Sequence, residues 1–290
     1  MIFLKDLKQN GQAIQDHLDK YLYSWGDIDV ISAMRHALNG GKRLRAYLAV
    51  KSAAVYDVPT DQSIWPASAI EAIHAYSLVH DDLPCMDDDD LRRGMPTVHN
   101  KWNDAIAVLA GDALQSLGFE LVLNPACSAH ASVRTELALS LAKASGGQGM
   151  VLGQALDINA ESVQTPLNLD QITALQRGKT GALLGWAVKS GAVLAKEDPT
   201  PLSHYAQAVG LAFQIADDVL DVQGDPEKAG KRLMKDASAR KATFVSLLGL
   251  EGAKVRSQEL IDQACDAVSP LGKGADALQQ CAKFIISRDR

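Results

Sequence analysis

A chain of 290 residues is long enough for one large domain or two small ones, and for a sizeable core. With 47% hydrophobic and 22% charged residues, and only 22 Gly and 10 Pro, it is not disordered, collagen-like or linker-dominated. A formal net charge of -6, from 29 basic and 35 acidic residues, gives no general attraction to nucleic acid or to an anionic membrane, so any bound anion needs local cations.

Aromatic residues are only 5%, and the long segments are rich in Ala, Leu, Gln, Glu and Lys, a pattern that predicts an all-α chain. Apolar residues recurring at three and four predict helices over Ile2 to Tyr21, Ile28 to Leu38 and Lys42 to Tyr56. Pro66 is expected to open a helix running to about Asp82, with Ala69, Ile70, Ile73, Tyr76, Ser77 and His80 on its recurring face. Further helices are expected over Lys101 to Leu123, Ala131 to Ala144, Gly149 to Ala160, Leu169 to Leu194 and Leu202 to Val222. Two more follow, Thr243 to Val268 with a break near Gly249 to Gly252, and Asp276 to Ser287. The total is about ten helices with no period of 20 to 50 residues, which removes a solenoid.

The first residues, MIFLKDLKQNGQAIQDHL, lack the basic start, apolar run and cleavage site of a signal peptide. No window reaches ~18 uninterrupted apolar residues, the length of a membrane span. Cys85, Cys127, Cys265 and Cys281 are far apart with no CxxC spacing, which suits a reducing compartment. The expectation is a soluble cytoplasmic protein, a single domain over residues 1–290, with no nucleic-acid and no membrane partner.

Two acidic clusters stand near the ends of apolar helices: HDDLPCMDDDD at 80 to 90 and ADDVLD at 216 to 221. In the second, Asp217 and Asp221 are four apart and share a helix face, differing by about 40°. Like charges at that spacing repel, so something compensates them. Hard oxygen donors without His or thiolate suit Mg²⁺, which binds through one or two carboxylates and completes its shell with phosphate oxygens. The competing reading is a solvated acidic face, against which the apolar flanks Leu211 to Ala216 argue. In the first cluster an ideal helix aligns Asp81 with Asp88, but Pro84 disturbs the register, so geometry leaves Asp87 and Asp88 open. The glycine and distal glutamate of a Ca²⁺-binding EF-hand loop are absent.

Cations accompany these clusters. Gly40 and Gly41 break the chain, and Lys42 and Arg45 are expected at i and i+3 in the first turn of the next helix, where free N–H groups and the dipole favour a diphosphate. Arg92 and Arg93, about 100° apart if helical, suit two different anions. Lys179 and Thr180 in GKTGALL supply a cation and a hydroxyl, but the segment is no P-loop. The polar stretch Gly224 to Lys241, with Lys228, Lys231, Lys235 and Lys241, reads as a lid.

GGKRLR (40 to 45), IHAYSLVHDDLPCMDDDDLRRGMPT (73 to 97), GQALD (153 to 157), GKTGALL (178 to 184) and FQIADDVLDVQGD (213 to 225), in this order, resemble the trans-isoprenyl diphosphate synthases, and most closely the bacterial farnesyl diphosphate synthases. The resemblance implies an all-α isoprenoid synthase fold, a single bundle around a central cavity, usually a homodimer. It implies Mg²⁺ on Asp81 and Asp87, with Asp82 beside them, and on Asp217 supported by Asp221. It places isopentenyl diphosphate on Lys42, Arg45, His74 and Arg93, and the allylic diphosphate on Arg92, Lys179, Thr180, Gln214, Lys231 and Lys241. Lys179, Thr180 and Gln214 would take part in catalysis. Ala46, where the family usually has Pro, and Met234 and Arg240, in an altered lid, depart from the pattern.

The implied chemistry is ionisation of an allylic diphosphate, attack by the isopentenyl double bond and loss of a proton, giving a farnesyl product. A geranylgeranyl diphosphate synthase would differ only in cavity depth, and a non-catalytic partner subunit typically lacks one aspartate motif, whereas both are intact. Tyr76, five residues before Asp81, is the expected cavity floor, about 7.5 Å along the helix from the metal-binding end.

Overall fold

The computed structural model describes residues 2–162, 167–223 and 243–287, and almost all of its regular structure is helical. The helices are α1 (Ile2–Leu22), α2 (Asp29–Leu38), α3 (Leu44–Ala54), α4 (Thr60–Asp81), α5 (Val98–Lys101), α6 (Asp104–Leu123), α7 (Ala131–Ser145), α8 (Met150–Ser162) and α9 (Leu169–Gln176). After a π-turn, Arg177–Gly181, come α10 (Ala182–Ala195), α11 (Thr200–Gln223), α12 (Phe244–Leu248), α13 (Leu250–Val268) and α14 (Asp276–Ser287). Among the described residues the only sheet is a hairpin pairing β1 (Leu91–Arg92) with β2 (Met95–Pro96).

One apolar cluster joins α1, α2, α4, α6 and α7, and a second joins α10, α11, α13 and α14. Helices α3 and α10 contribute to both clusters and tie them together. Their close approach depends on Gly191, where an added Cβ would stand 2.3 Å from the backbone nitrogen of Ala53. Helix α6 is long and apolar enough to cross a membrane by length and composition, and 44% of its most apolar 18-residue stretch is buried against the other helices.

Four helix boundaries differ from expectation. Pro66 lies inside α4, which opens six residues earlier at Thr60. The carbonyl that Pro66 leaves without a helical donor belongs to Gln62, which is exposed, so water can take the place of the lost bond. The segment expected as Lys101 to Leu123 is split at Trp102, and Asn103 starts α6 afresh by accepting from the backbone N–H of Ile106 at 2.9 Å. The segment expected as Leu169 to Leu194 is interrupted by the π-turn. Helix α3 begins at Leu44 and not at Lys42, because Gly40, Gly41 and Arg43 all have positive φ, at 75°, 84° and 53°. The break near Gly249 falls where the sequence suggested.

Candidate active site

Helices α3, α4, α6 and α8, the π-turn and α10 enclose a cavity of about 570 Å³. Arg45, His74, Tyr76, Asp81, Lys179 and Thr180 line it, with apolar walls from Leu83, Met150, Ile158 and Leu183. Polar groups thus meet at one apolar chamber, the usual architecture of a small-molecule site.

Asp81 ends α4, and the chain then turns back on itself, so that the N–H of Asp87 donates to the carbonyl of Asp81 at 2.8 Å. The N–H of Asp88 instead donates to Leu83, with Asp88 in the left-handed region. Burial pushes the Asp81 carboxyl up to about 6; Lys179 and Arg92 oppose the rise, while Asp87 and Asp82 add to it. Asp82 is buried and held by Arg92, whose Nε donates to its Oδ1 at 2.9 Å and whose Nη2 reaches Asp89 at 3.3 Å.

Arg92 and Arg93 are not on a helix: they sit at the tight hairpin, with Arg93 at φ 54°. This sends them to different places. Arg93 turns away from the carboxylates to donate to the carbonyls of Asn39 and Gly40 at 3.0 and 3.2 Å. His74 faces Arg45, with Nη1 and Nε2 3.4 Å apart. Burial, then Arg45 and Arg93, hold the His74 imidazole well below its ordinary range, so it is neutral at pH 7. Lys42 is not the helical neighbour of Arg45 that the spacing suggested. It is exposed in the loop before α3, lining a separate cleft with Lys8 and Gln12.

Across the chamber, Lys179 donates to Asp157 of α8 at 2.6 Å. The π-turn meets α8 so closely that a Cβ at Gly153 would stand 2.0 Å from the nitrogen of Lys179, which explains the glycine of GQALD. Gln214 of α11 donates through Nε2 to Oγ1 of the buried Thr180 at 3.1 Å. One turn on, Asp217 and Asp221 share a face while Asp218 points elsewhere, accepting from the N–H of Phe244 at 2.6 Å.

The profile of the Polyprenyl synthetase family matches residues 29–279. The farnesyl diphosphate synthase of Escherichia coli is 43% identical over 98% of this chain and 97% of its own length. The chain belongs to the polyprenyl synthetase family. The farnesyl diphosphate synthase of Bacillus subtilis is 39% identical, over 99% of this chain and 97% of its own. A crystal structure of an FPP/GFPP synthase from Zymomonas mobilis superposes with a TM-score of 0.87 at 43% identity, covering 96% of this chain and 98% of that one.

Within this polyprenyl synthetase, the structure brings Arg45, His74, Asp81, Lys179 and Thr180 to one cavity and puts Gln214, Asp87 and Arg92 beside them through direct contacts or electrostatic coupling. Lys231 and Lys241, like Met234 and Arg240, lie outside the described residues. Among the described residues no three His, Cys, Asp or Glu side chains stand close enough to hold an ion unaided.

Sequence reasoning passed over Glu71 and Arg43, which form a buried ion pair at 3.1 Å behind the Arg45 and His74 wall. The available signal was a lone glutamate in the run Ala67 to Ile73. It also gave no role to Asp157 beyond its place in the GQALD motif.

Proposed function

We propose that this chain is a Mg²⁺-dependent farnesyl diphosphate synthase, condensing isopentenyl diphosphate head to tail with dimethylallyl and then geranyl diphosphate. The observation carrying this reading is the chamber itself, in which Asp81 and Lys179 stand at one part of an apolar cavity that Tyr76 also lines. The 43% identical E. coli relative, matched over nearly its full length, bears the same name.

The donor set, the carboxylates of Asp81, Asp87 and Asp217, is hard oxygen throughout and fits Mg²⁺. Burial has raised the proton affinity of Asp81, a cost that a nearby cation offsets. When bound, Mg²⁺ would neutralise negative charge on the departing diphosphate.

The protein's own groups do the rest. Lys179 and Arg92 hold the allylic diphosphate and stabilise charge growing on it as the carbon–oxygen bond breaks. Arg45, Arg93 and neutral His74 hold isopentenyl diphosphate so that its double bond faces the allylic carbon, with Lys42 a further cation on the loop before α3. The Thr180 hydroxyl, accepting from Gln214, presents its oxygen lone pairs to the allylic cation. Released diphosphate takes the proton lost after the new carbon–carbon bond forms. The apolar walls exclude water, which would quench the cation to an alcohol.

A single domain over residues 1–290 does this work, consistent with α3 and α10 serving both apolar clusters. A homodimer accounts for the apolar residues that α6, α7 and α8 leave exposed, among them Leu109, Leu139 and Leu152. The four free cysteines suit the cytoplasm.

Purified chain, Mg²⁺, radiolabelled isopentenyl diphosphate and each allylic primer, with products separated by length, tests this reading. A fifteen-carbon product that disappears with chelator is expected. A twenty-carbon product would make the chain a geranylgeranyl diphosphate synthase, and no product at all would overturn the assignment.

A further inference from the structure

A second cavity, of about 330 Å³, lies between α10 and α11 against the π-turn, and none of its lining residues borders the central chamber. Two independent features set it apart from an accidental groove.

The first is glycine without a packing reason. Gly185 stands in the first turn of α10, which continues the π-turn, and a Cβ there would meet nothing within 4 Å. Its neighbours in the cavity wall, Gly181 and Gly210, would find their closest contacts at 3.5 Å, an ordinary van der Waals distance. Glycine weakens a helix relative to alanine, and at Gly191 of the same helix the backbone of α3 explains that loss. At Gly185 packing demands nothing. What the missing side chain preserves is the cavity.

The second is charge. Arg177 and Lys189 line the cavity, and among the described residues neither is in an ion pair and no acidic side chain lines it. Gln176 adds a buried Oε1 with no hydrogen-bond partner. In either orientation of the amide, its nitrogen carries two N–H donors.

We propose that this cavity is a second anion site, distinct from the central chamber, that takes a small phosphoryl anion. Arg177 supplies planar paired donors suited to phosphate oxygens, Lys189 a mobile point charge, and Gln176 a directional hydrogen bond. The volume is at the small end for ligand sites and suits a phosphate or diphosphate group. Arg177 and Gly181 on the outer side and Lys179 and Thr180 on the inner side belong to one five-residue π-turn, an irregularity often found at functional positions.

Equilibrium dialysis of the full metal-free chain against radiolabelled inorganic pyrophosphate tests the site without drawing on condensation activity. Gly185→Leu, which fills the cavity, and the pair Arg177→Ala with Lys189→Ala should each bind one equivalent fewer per chain than the wild type. Equal stoichiometry in all three proteins overturns the proposal. Gly185→Ala should raise the thermal midpoint while weakening the outer-site affinity several-fold; a lower midpoint would mean that packing requires the glycine after all, and would also overturn it. A parallel arm uses farnesyl thiodiphosphate, an unreactive prenylated probe. Tighter binding than pyrophosphate at this site identifies a prenyl diphosphate as the occupant, and equal binding identifies the phosphoryl group alone.

Discussion

Glu71 grips Arg43 with one carboxylate oxygen and the first turn of α3 with the other: Oε2 accepts from Nη1 at 3.1 Å and Oε1 from the N–H of Ala46 at 3.2 Å. Arg43 occupies the N-cap of α3 in a left-handed conformation and offers no side-chain acceptor, so the remote Glu71 satisfies a donor that a local cap would ordinarily take. Removing one partner of a buried ion pair leaves the other charged and desolvated. Glu71→Ala should therefore cost about 3–5 kcal/mol of folding stability. Urea titration measures it, and a loss under about 1 kcal/mol would show that the pair is not the anchor of this loop.

Under the proposed metal assignment, Asp81→Ala and Asp217→Ala should each lower turnover by orders of magnitude while circular dichroism stays unchanged, because each would remove an oxygen donor to the cation that polarises the leaving group. Excess chelator should abolish wild-type activity. Near-normal turnover in either variant would remove that residue from the metal assignment.

Stability without metal should depend on pH through Asp81. Its folded pKa of about 6 lies above the 3.8 of an unperturbed aspartate, so the folded chain binds this proton more tightly than the unfolded chain. The penalty is present in full above pH 6 and is relieved as pH falls toward 4. The thermal midpoint of the chelated protein should accordingly fall less between pH 7 and pH 5 in wild type than in Asp81→Asn, which has no charge to bury. Asp81→Asn should also be the more stable of the two at pH 7. Identical pH profiles would contradict the link.

Arg45→Ala should raise the apparent KM for isopentenyl diphosphate more than that for the allylic primer. Arg45 faces His74 at 3.4 Å, whereas Lys179 pairs with Asp157 across the chamber. Lys42→Ala, in the exposed loop, should have a smaller effect than Arg45→Ala. Equal effects of Arg45→Ala on both substrates would merge the two diphosphate sites into one.

Tyr76 is buried at 5% exposure, lines the chamber and stands edge-on to His80 with ring centroids 5.8 Å apart. Tyr76→Ala should deepen the chamber and shift the product toward twenty carbons, and Ser77→Phe, on the same wall, should shorten it. Chromatography of the released products decides. An active, stable Tyr76→Ala that still makes only fifteen carbons places the length determinant elsewhere.

Helix class, most helix spans and the apolar face of α4 were legible because side-chain periodicity reports local structure. Pro66 misled because an interior proline is also tolerated where the carbonyl it leaves unpaired, here that of Gln62, is exposed to water. Lys42 was misplaced because helical spacing from Lys42 to Arg45 was carried through Arg43, whose positive φ the sequence does not announce. Arg92 and Arg93 could not be assigned a hairpin from two-residue strands, which carry no period. The Arg43 and Glu71 pair joins residues 28 apart, a tertiary contact that no local pattern encodes.

Asp218 has a consequence of a different kind. It stands five residues before the end of α11 and holds the backbone N–H of Phe244, the first residue of α12. The chain therefore leaves α11 and returns to it within about 7.5 Å along the helix axis. The bond thus anchors the start of α12 to the turn of α11 that carries Asp217 and Asp221, so the two helices cannot part without exposing a charged carboxylate and an unpaired N–H.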